Sequence, residues 1–123
     1  MKDKIRLVIP KKSEYVSVVR LTTSSISSIN GLNIEEIEDL KVILSEICVF
    51  FINNIKQNDK SIEIEYNIFE DKLEIIVIDL NEGILSQKPK NNSELCMLII
   101  ESLADKYEID YQKKKILFTK NII

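Results

Sequence analysis

Three short constellations hold the side chains that could do chemistry in this 123-residue chain. Glu46 precedes an apolar stretch, so it is either an ordinary helix-surface carboxylate or a general base for a hydroxyl or water. Asp79 ends an Ile- and Val-rich run, where it either forms a simple turn or accepts a hydrogen bond from a ligand amine. Arg20 lies among Ser and Thr, either solvated or as the anchor for a protein partner. The residues alone leave each pair of alternatives open.

Composition excludes several other kinds of site. The chain has no His, which removes the commonest general base and the commonest metal ligand. It contains no Gly-rich phosphate loop, metal-ligand spacing or nucleophile elbow. A net charge of −3 with scattered Lys and Arg argues against nucleic acid as a partner, and the basic run at 113–115 is predicted to be a solvated turn.

Apolar patterning predicts a cytoplasmic protein without a membrane partner. The longest apolar runs, 47–52 and 95–100, fall far short of the ~20 residues that span a bilayer. No signal-peptide pattern precedes the first segment. Cys48 and Cys96 lie inside these runs and are predicted to be reduced and buried.

Hydrophobic periodicity predicts the elements that position these residues. Strands are expected at 5–9, 62–68, 73–79, 107–109 and 116–118, and helices at about 13–30, 33–56 and 93–106. Gly31 fits the C-terminal cap of the first helix, and Asn33 with Glu36 forms a capping box for the second. This order predicts an α+β two-layer sandwich, with a mixed, mainly antiparallel sheet and helices on one face, as a single domain over 1–123.

The first two helices have distinct predicted faces. Core spacing on the first helix selects Tyr15, Val16, Val19, Ile26 and Ile29. A separate polar stripe on it comprises Ser17, Arg20, Ser24 and Ser27. The second helix becomes apolar on all sides over 47–52, which predicts a buried central helix.

Four segments, 14–22, 37–46, 78–83 and 100–106, together resemble the bacterial anti-sigma factor/serine-protein kinases of the GHKL ATPase/kinase superfamily. The resemblance extends over about residues 5–120 and implies the Bergerat fold, with ATP and Mg²⁺ between sheet and helices. Such proteins hold a sigma factor off RNA polymerase, phosphorylate a Ser of an anti-anti-sigma protein and commonly dimerise. It therefore implies a sigma factor, an anti-anti-sigma protein and a second copy of this chain as partners.

The resemblance also implies residue roles. Glu46 matches the catalytic Glu of the family. Asp79 matches the Asp that binds the adenine amino group, and Gly83 matches the second Gly of the Asp-x-Gly-x-Gly motif. Arg20 matches a residue that contacts both the sigma factor and the anti-anti-sigma protein. Ser17 and Ser24, on the same stripe, are predicted to share that partner surface.

Departures from the family pattern fall on the Mg²⁺ and phosphate end of the implied site. Phe50 stands where the family has a Mg²⁺-binding Asn, and a phenyl ring cannot ligate a cation that requires oxygen. Asn81 replaces the first Gly of the Asp-x-Gly-x-Gly motif. At the third helix, Ser93-Glu94 replaces a Gly-x-Gly phosphate cradle, so the Glu94 carboxylate is expected to take the place of phosphates. Asn91 is expected to form a capping box with Glu94.

These observations support three hypotheses. The leading one is a noncatalytic anti-sigma-like regulator that binds partners through the Arg20 helix, has no cofactor and keeps Glu46 only as a vestige. The second is a divergent serine-protein kinase that still binds ATP and Mg²⁺, with Glu46 as base and an intact adenine end at Asp79 and Gly83. The third is a paralogue that dimerises with a true family kinase.

Overall fold

The computed structural model describes residues 1–85 and 93–122. Its strands are β1 (Asp3–Pro10), β2 (Ser61–Ile68), β3 (Lys72–Asp79), β4 (Lys106–Asp110) and β5 (Lys115–Asn121). Its α-helices are α1 (Val16–Ile29), α2 (Ile34–Asn54) and α3 (Ser93–Leu103), and a short 3-10 helix, Ser13–Tyr15, leads into α1. The element order expected from periodicity is confirmed.

The five described strands form one sheet in the order β1-β2-β3-β5-β4. All four pairings are antiparallel, so the described part of the sheet has no parallel pair of the kind that a mixed sheet would contain. The β2–β3 turn is closed where the Phe69 amide donates to the Lys72 carbonyl at 2.9 Å. The α+β architecture is confirmed, with β1 and β4 as the edge strands.

Strand alternation sends one row of side chains from each central strand into the core. On β3 the buried row is Leu73, Ile75 and Val77, and it ends at Asp79. Because successive strand residues point to opposite faces, Asp79 necessarily points the same way as these apolar residues. The fold thus directs a carboxylate toward the helix layer at the end of β3.

The second helix is the central helix of the core, as predicted. Asn33 accepts a hydrogen bond from the Glu36 amide and Glu36 accepts one from the Asn33 amide, at 2.8 and 3.0 Å, which completes the capping box. Seven of its residues are buried: Leu40, Ile43, Leu44, Ile47, Cys48, Phe50 and Phe51. This burial fixes the orientation of the whole helix.

The predicted core face of the first helix was partly wrong. Tyr15 belongs to the 3-10 helix and is exposed, and Ile29 is 79% exposed in the last turn. Ser27, predicted on the polar stripe, is fully buried. The buried residues of α1 are Val16, Val19, Thr23, Ile26 and Ser27. They share one helical face, so geometry outweighs polarity at positions 23 and 27.

Smaller expectations are also settled. Gly31 caps the end of α1 with a φ of +83°, as predicted, and the basic run at 113–115 includes the turn before β5, where Lys114 has a φ of +55°. The third helix ends at Leu103, three residues before its predicted end. The predicted capping role of Asn91, and most of the loop before α3, lie outside the described residues.

Among the described residues, no helix combines the length and apolar character needed to cross a membrane.

Candidate functional site

Asp79 is paired with a buried lysine. The Nζ atom of Lys11 lies 2.7 Å from Oδ2 of Asp79, and the two side chains are 1% and 0% exposed. The same ammonium donates hydrogen bonds to the backbone carbonyls of Ile55 at 2.6 Å and Gln57 at 2.8 Å. Its contact with Oδ2 is an ion pair rather than a well-directed hydrogen bond, because Oδ2 has no hydrogen-bond partner of good geometry. Lys11 therefore links β3 to the segment that leaves α2.

Asn81 occupies the other oxygen of Asp79. Its backbone amide and its side-chain Nδ2 donate to Oδ1 at 2.9 and 2.8 Å. Nδ2 also donates to the Lys60 carbonyl at 2.8 Å, and Oδ1 of Asn81 accepts from the Lys60 amide at 2.7 Å. Asn81 is buried and does not take the left-handed conformation of a glycine turn. It connects the strand exit to the start of β2.

Gly83 has a φ of +139°, a conformation that side chains rarely allow. A Cβ built on it would lie 2.5 Å from Oε1 of Gln57 and 3.1 Å from Cγ2 of Ile55. The glycine is thus required for close approach to residues 55–57 of this chain. The contacts around Asp79 and Gly83 are intramolecular.

Phe50 is part of the hydrophobic core. Its side chain is 2% exposed, and its ring packs at 59° against that of Phe51 with 5.6 Å between centroids. It lies four residues after Glu46 on α2, or about 6 Å along the helix axis. The position that the resemblance assigns to Mg²⁺ therefore holds an apolar ring and no oxygen ligand.

Glu46 and Arg20 meet at one surface cavity between α1 and α2. The cavity has a volume of about 300 Å³ and is lined by Arg20, Glu38, Lys41, Val42, Ser45 and Glu46. Arg20 Nη1 donates a long hydrogen bond of 3.4 Å to Ser45 Oγ, and both residues line the cavity. Arg20 and Glu46, which the sequence analysis selected separately, thus line the same cavity.

The remaining predicted partner residues lie on the same side of α1 as Arg20. Ser17 is exposed and Ser24 is partly exposed. Leu21, next to Arg20, is 73% exposed, and Val18 is 40% exposed. This surface, defined as residues 17, 18, 20, 21 and 24 and called the α1 face below, mixes hydroxyl, guanidinium and apolar groups.

The two thiols are buried and reduced, as predicted. Burial raises the pKa of Cys48 to about 12. Burial and, to a lesser degree, the nearby Glu46 carboxylate raise the pKa of Cys96 to about 12. Since the thiolate is the nucleophile, neither cysteine is suited to catalysis. Within the described residues, no three Cys, Asp or Glu side chains converge to hold a metal ion.

At the third helix only part of the prediction falls on described residues. Glu94 lies in the first turn of α3 and is exposed. A carboxylate in a first turn is favoured by the helix dipole. Its role there stays a prediction.

Sequence reasoning missed Lys11. Ile5, Leu7 and Ile9 form the row of β1 that turns toward the helices, and Lys11 continues that alternation past Pro10. Asp79 continues the corresponding row of β3. Two inward rows that end in opposite charges are a usable signal, but only once the strand order places β1 and β3 on either side of β2.

The described residues do not fit a magnesium nucleotide at the positions that the resemblance assigns to the base and the metal. Asp79 already has Lys11 at one oxygen and Asn81 at the other. Gln57 fills the space over Gly83, and Phe50 fills the metal position. A ligand amine would have to displace a paired ammonium, and a metal would meet a phenyl ring.

One antiparallel sheet covered by three α-helices defines an α+β sandwich. The chain belongs to the histidine kinase-like ATPase domain family, whose pattern matches residues 9–120. It is similar to the serine-protein kinase RsbW of Bacillus subtilis (strain 168), with 40% identity over 79 residues, 63% of this chain and 49% of that protein. It is 46% identical over 84 residues to the RsbW of Listeria innocua serovar 6a, covering 64% and 52% of the two chains.

The chain thus spans about half the length of these relatives. A solved structure, that of the RsbU and RsbW domains of Rv1364c from Mycobacterium tuberculosis, superimposes with a TM-score of 0.73 at 14% identity, over 98% of this chain and 32% of the other. That likeness shows the fold.

Proposed function

We propose that this protein is a noncatalytic, anti-sigma-like regulator that acts by binding protein partners, with serine-kinase activity lost. Phe50 carries the proposal, because its ring is buried and the resemblance assigns its position to a metal-binding amide. Mg²⁺ requires close to octahedral oxygen coordination. Phosphoryl transfer depends on that metal to neutralise the charge that develops in the transition state. Loss of the metal would therefore remove catalysis as well as nucleotide affinity.

The α1 face supports the binding part of the proposal. Arg is enriched at interface hot spots, and here Arg20 is held by Ser45 beside exposed Leu21. The proposed partners are a sigma factor, an anti-anti-sigma protein and a second copy of this chain as a homodimer. Such a role places the protein in the cytoplasm.

One observation favours a second candidate, an ATP-dependent serine-protein kinase that phosphorylates an anti-anti-sigma protein. Glu46 is partly exposed and lines the same cavity as Arg20. A partner bound at Arg20 could therefore bring a hydroxyl near this carboxylate. The candidate requires a nucleotide position other than the one blocked at Asp79.

Nucleotide-dependent stability separates the two candidates. We expect the melting temperature to be the same with and without MgATP or MgADP at millimolar concentration. A nucleotide present at about 100 times its Kd would stabilise the fold by about 2.7 kcal/mol, which corresponds to a rise of several degrees. Such a rise, or transfer of labelled phosphate to an anti-anti-sigma protein, would refute the noncatalytic proposal.

The α1 face is tested by charge reversal at Arg20. We expect Arg20→Glu to weaken binding to a purified sigma factor at least tenfold by biolayer interferometry, because an anchoring cation becomes an anion. Lys113→Glu, in an exposed turn, makes the same change in net charge and should leave binding unchanged. Equal affinity of Arg20→Glu and the native protein would show that the surface is wrong.

A further inference from the structure

We propose that Lys11 is a built-in occupant of the base position, an internal ammonium that takes the place of a nucleotide amino group against Asp79. It rests on the proposed function only in treating Asp79 as the residue that would contact a base. The site then differs from the family pattern at the base position as well as at the metal position.

The ammonium of Lys11 is held by three oxygens within 2.8 Å of Nζ. It donates hydrogen bonds to the carbonyls of Ile55 and Gln57 and forms an ion pair with Oδ2 of Asp79. The Lys11 side chain is 1% exposed. A lysine this buried is rare unless it is paired, so the arrangement is a specific site and not a surface lysine that happens to lie near an acid.

The carboxylate is equally engaged. Oδ1 of Asp79 accepts two hydrogen bonds from Asn81, and Oδ2 faces the ammonium. A base amino group would approach Asp79 as a neutral donor, whereas the Lys11 ammonium carries the charge opposite to that of the carboxylate and is also held by two backbone carbonyls. To reach Asp79, a base would also have to displace the Lys11 ammonium from the carbonyls of Ile55 and Gln57. Adenine therefore cannot compete for Asp79 while Lys11 is present.

The surrounding chain keeps the position closed. Gln57 supplies a carbonyl to Lys11, and its side-chain oxygen lies where a Cβ of residue 83 would be. Lys114 Nζ adds a 3.4 Å hydrogen bond to the Gly83 carbonyl. Segments on both sides of the base position are thus held together by contacts that do not involve a nucleotide.

Adenosine is the probe that isolates this end, because it lacks the phosphates that Phe50 and Glu94 would affect. By calorimetry we expect no adenosine binding to the native protein at millimolar concentration. Lys11→Ala frees Asp79 and leaves space, so it should bind adenosine with a Kd at least tenfold below the concentration at which the native protein shows no binding. Inosine carries an oxo group in place of the amino group and should not bind this variant. Lys12→Ala, an exposed neighbour, should behave as the native protein.

Adenosine binding by the native protein would overturn the proposal, as would a folded Lys11→Ala variant that does not bind it. Lys11→Met keeps most of the side-chain stem and serves as a second variant if Lys11→Ala fails to fold. A measurement on the native protein needs no variant at all. The ¹⁵Nζ signal of Lys11 should show slowly exchanging ammonium protons at pH 7, and fast exchange like that of exposed lysines would refute the buried site.

The two proposals fail separately. Stabilisation by MgATP without adenosine binding would refute the noncatalytic function and leave the Lys11 assignment intact. Adenosine binding without phosphate transfer would refute the Lys11 assignment and leave the noncatalytic function intact.

Discussion

A single side chain, Asn81, shows how a residue that departs from the family pattern has become part of the framework. It replaces a glycine of the motif, yet it makes four hydrogen bonds to Asp79 and residue 60. Three of them use its side chain. The position is therefore not a loose remnant of a nucleotide loop, and its loss should be measurable as stability.

Asn81→Gly should destabilise the protein even though it restores the motif. Three side-chain hydrogen bonds are lost at about 0.5–1.5 kcal/mol each, so we expect a loss of about 1.5–4.5 kcal/mol. Urea unfolding measures it. Asn58→Gly, in an exposed segment, controls for the added chain entropy and should cost well under half as much. Equal losses in the two variants would contradict the framework role.

The environment of an individual residue was predictable where the sequence pattern around it is sufficient to determine that environment. Alternation along β3 indicates that Asp79 points inward, and the capping box at Asn33 was evident from spacing. The partner of Asp79 was not predictable, because Lys11 is 68 positions away and the strand order brings them together. The roles of Glu46, Glu94 and Arg20 stay predictions.

At the scale of elements, a buried polar contact joins α1 to the sheet. The hydroxyl of Thr23 donates to the Val19 carbonyl at 2.7 Å and lies 2.8 Å from the Tyr66 hydroxyl. Since a threonine has one proton to give, Tyr66 is the donor in the second bond. Burial raises the pKa of Tyr66 to about 12, so α1 and β2 are held by a phenol that must stay neutral.

This contact should weaken in alkali. The pKa of Tyr66 rises from 10.0 to about 12 on folding, so its contribution is complete below pH 10 and is lost as the pH rises from 10 to 12. At pH 11 the loss is about 1.4 kcal/mol. Urea unfolding at pH 8 and pH 11 should show a smaller drop for Tyr66→Phe than for the native protein.

The buried thiols contribute to the alkaline drop as well, because the pKa of Cys48 also rises to about 12. Tyr66→Phe should therefore reduce the drop without abolishing it. Tyr15→Phe, on the exposed 3-10 helix, is the matched control and should lose as much stability as the native protein. A drop in Tyr66→Phe as large as in this control would argue against the assignment.

The elements themselves were predicted more closely than their faces. Strand and helix order followed from periods of two and 3.6. The face of α1 was wrong at Tyr15 because a 3-10 turn has three residues per turn, which shifts the phase before the α-helix begins. The prediction for Ser27 was wrong because the polarity of serine was used as evidence of exposure. Its position beside Ile26 on the helix places it in the core.

For the molecule as a whole, one buried cluster draws residues from β1, β2, β3, β5 and all three α-helices. A common core implies that these elements lose their packing together. The expectation of a single domain over 1–123 stays a prediction, which the shared core of the described residues supports. Unfolding should then be one cooperative event.

Two probes should report a single urea transition. We expect far-UV circular dichroism and tyrosine fluorescence to coincide, with an m-value of about 1–3 kcal/mol/M. Ile43→Ala, fully buried, should lower the stability by about 2–5 kcal/mol in both signals. Ile34→Ala, 80% exposed, should change it by less than about 0.5 kcal/mol. Separate transitions would indicate two cooperative units.

The Lys11–Asp79 pair also has a kinetic consequence. Its members lie on either side of β2, so the pair forms only after three strands have aligned. A charge that loses water before its partner arrives is unfavourable, so we expect both groups to stay hydrated through the folding transition state. Contacts absent from that state govern the rate of unfolding rather than that of folding. The pair therefore prolongs the lifetime of the native state while leaving the time needed to reach it almost unchanged.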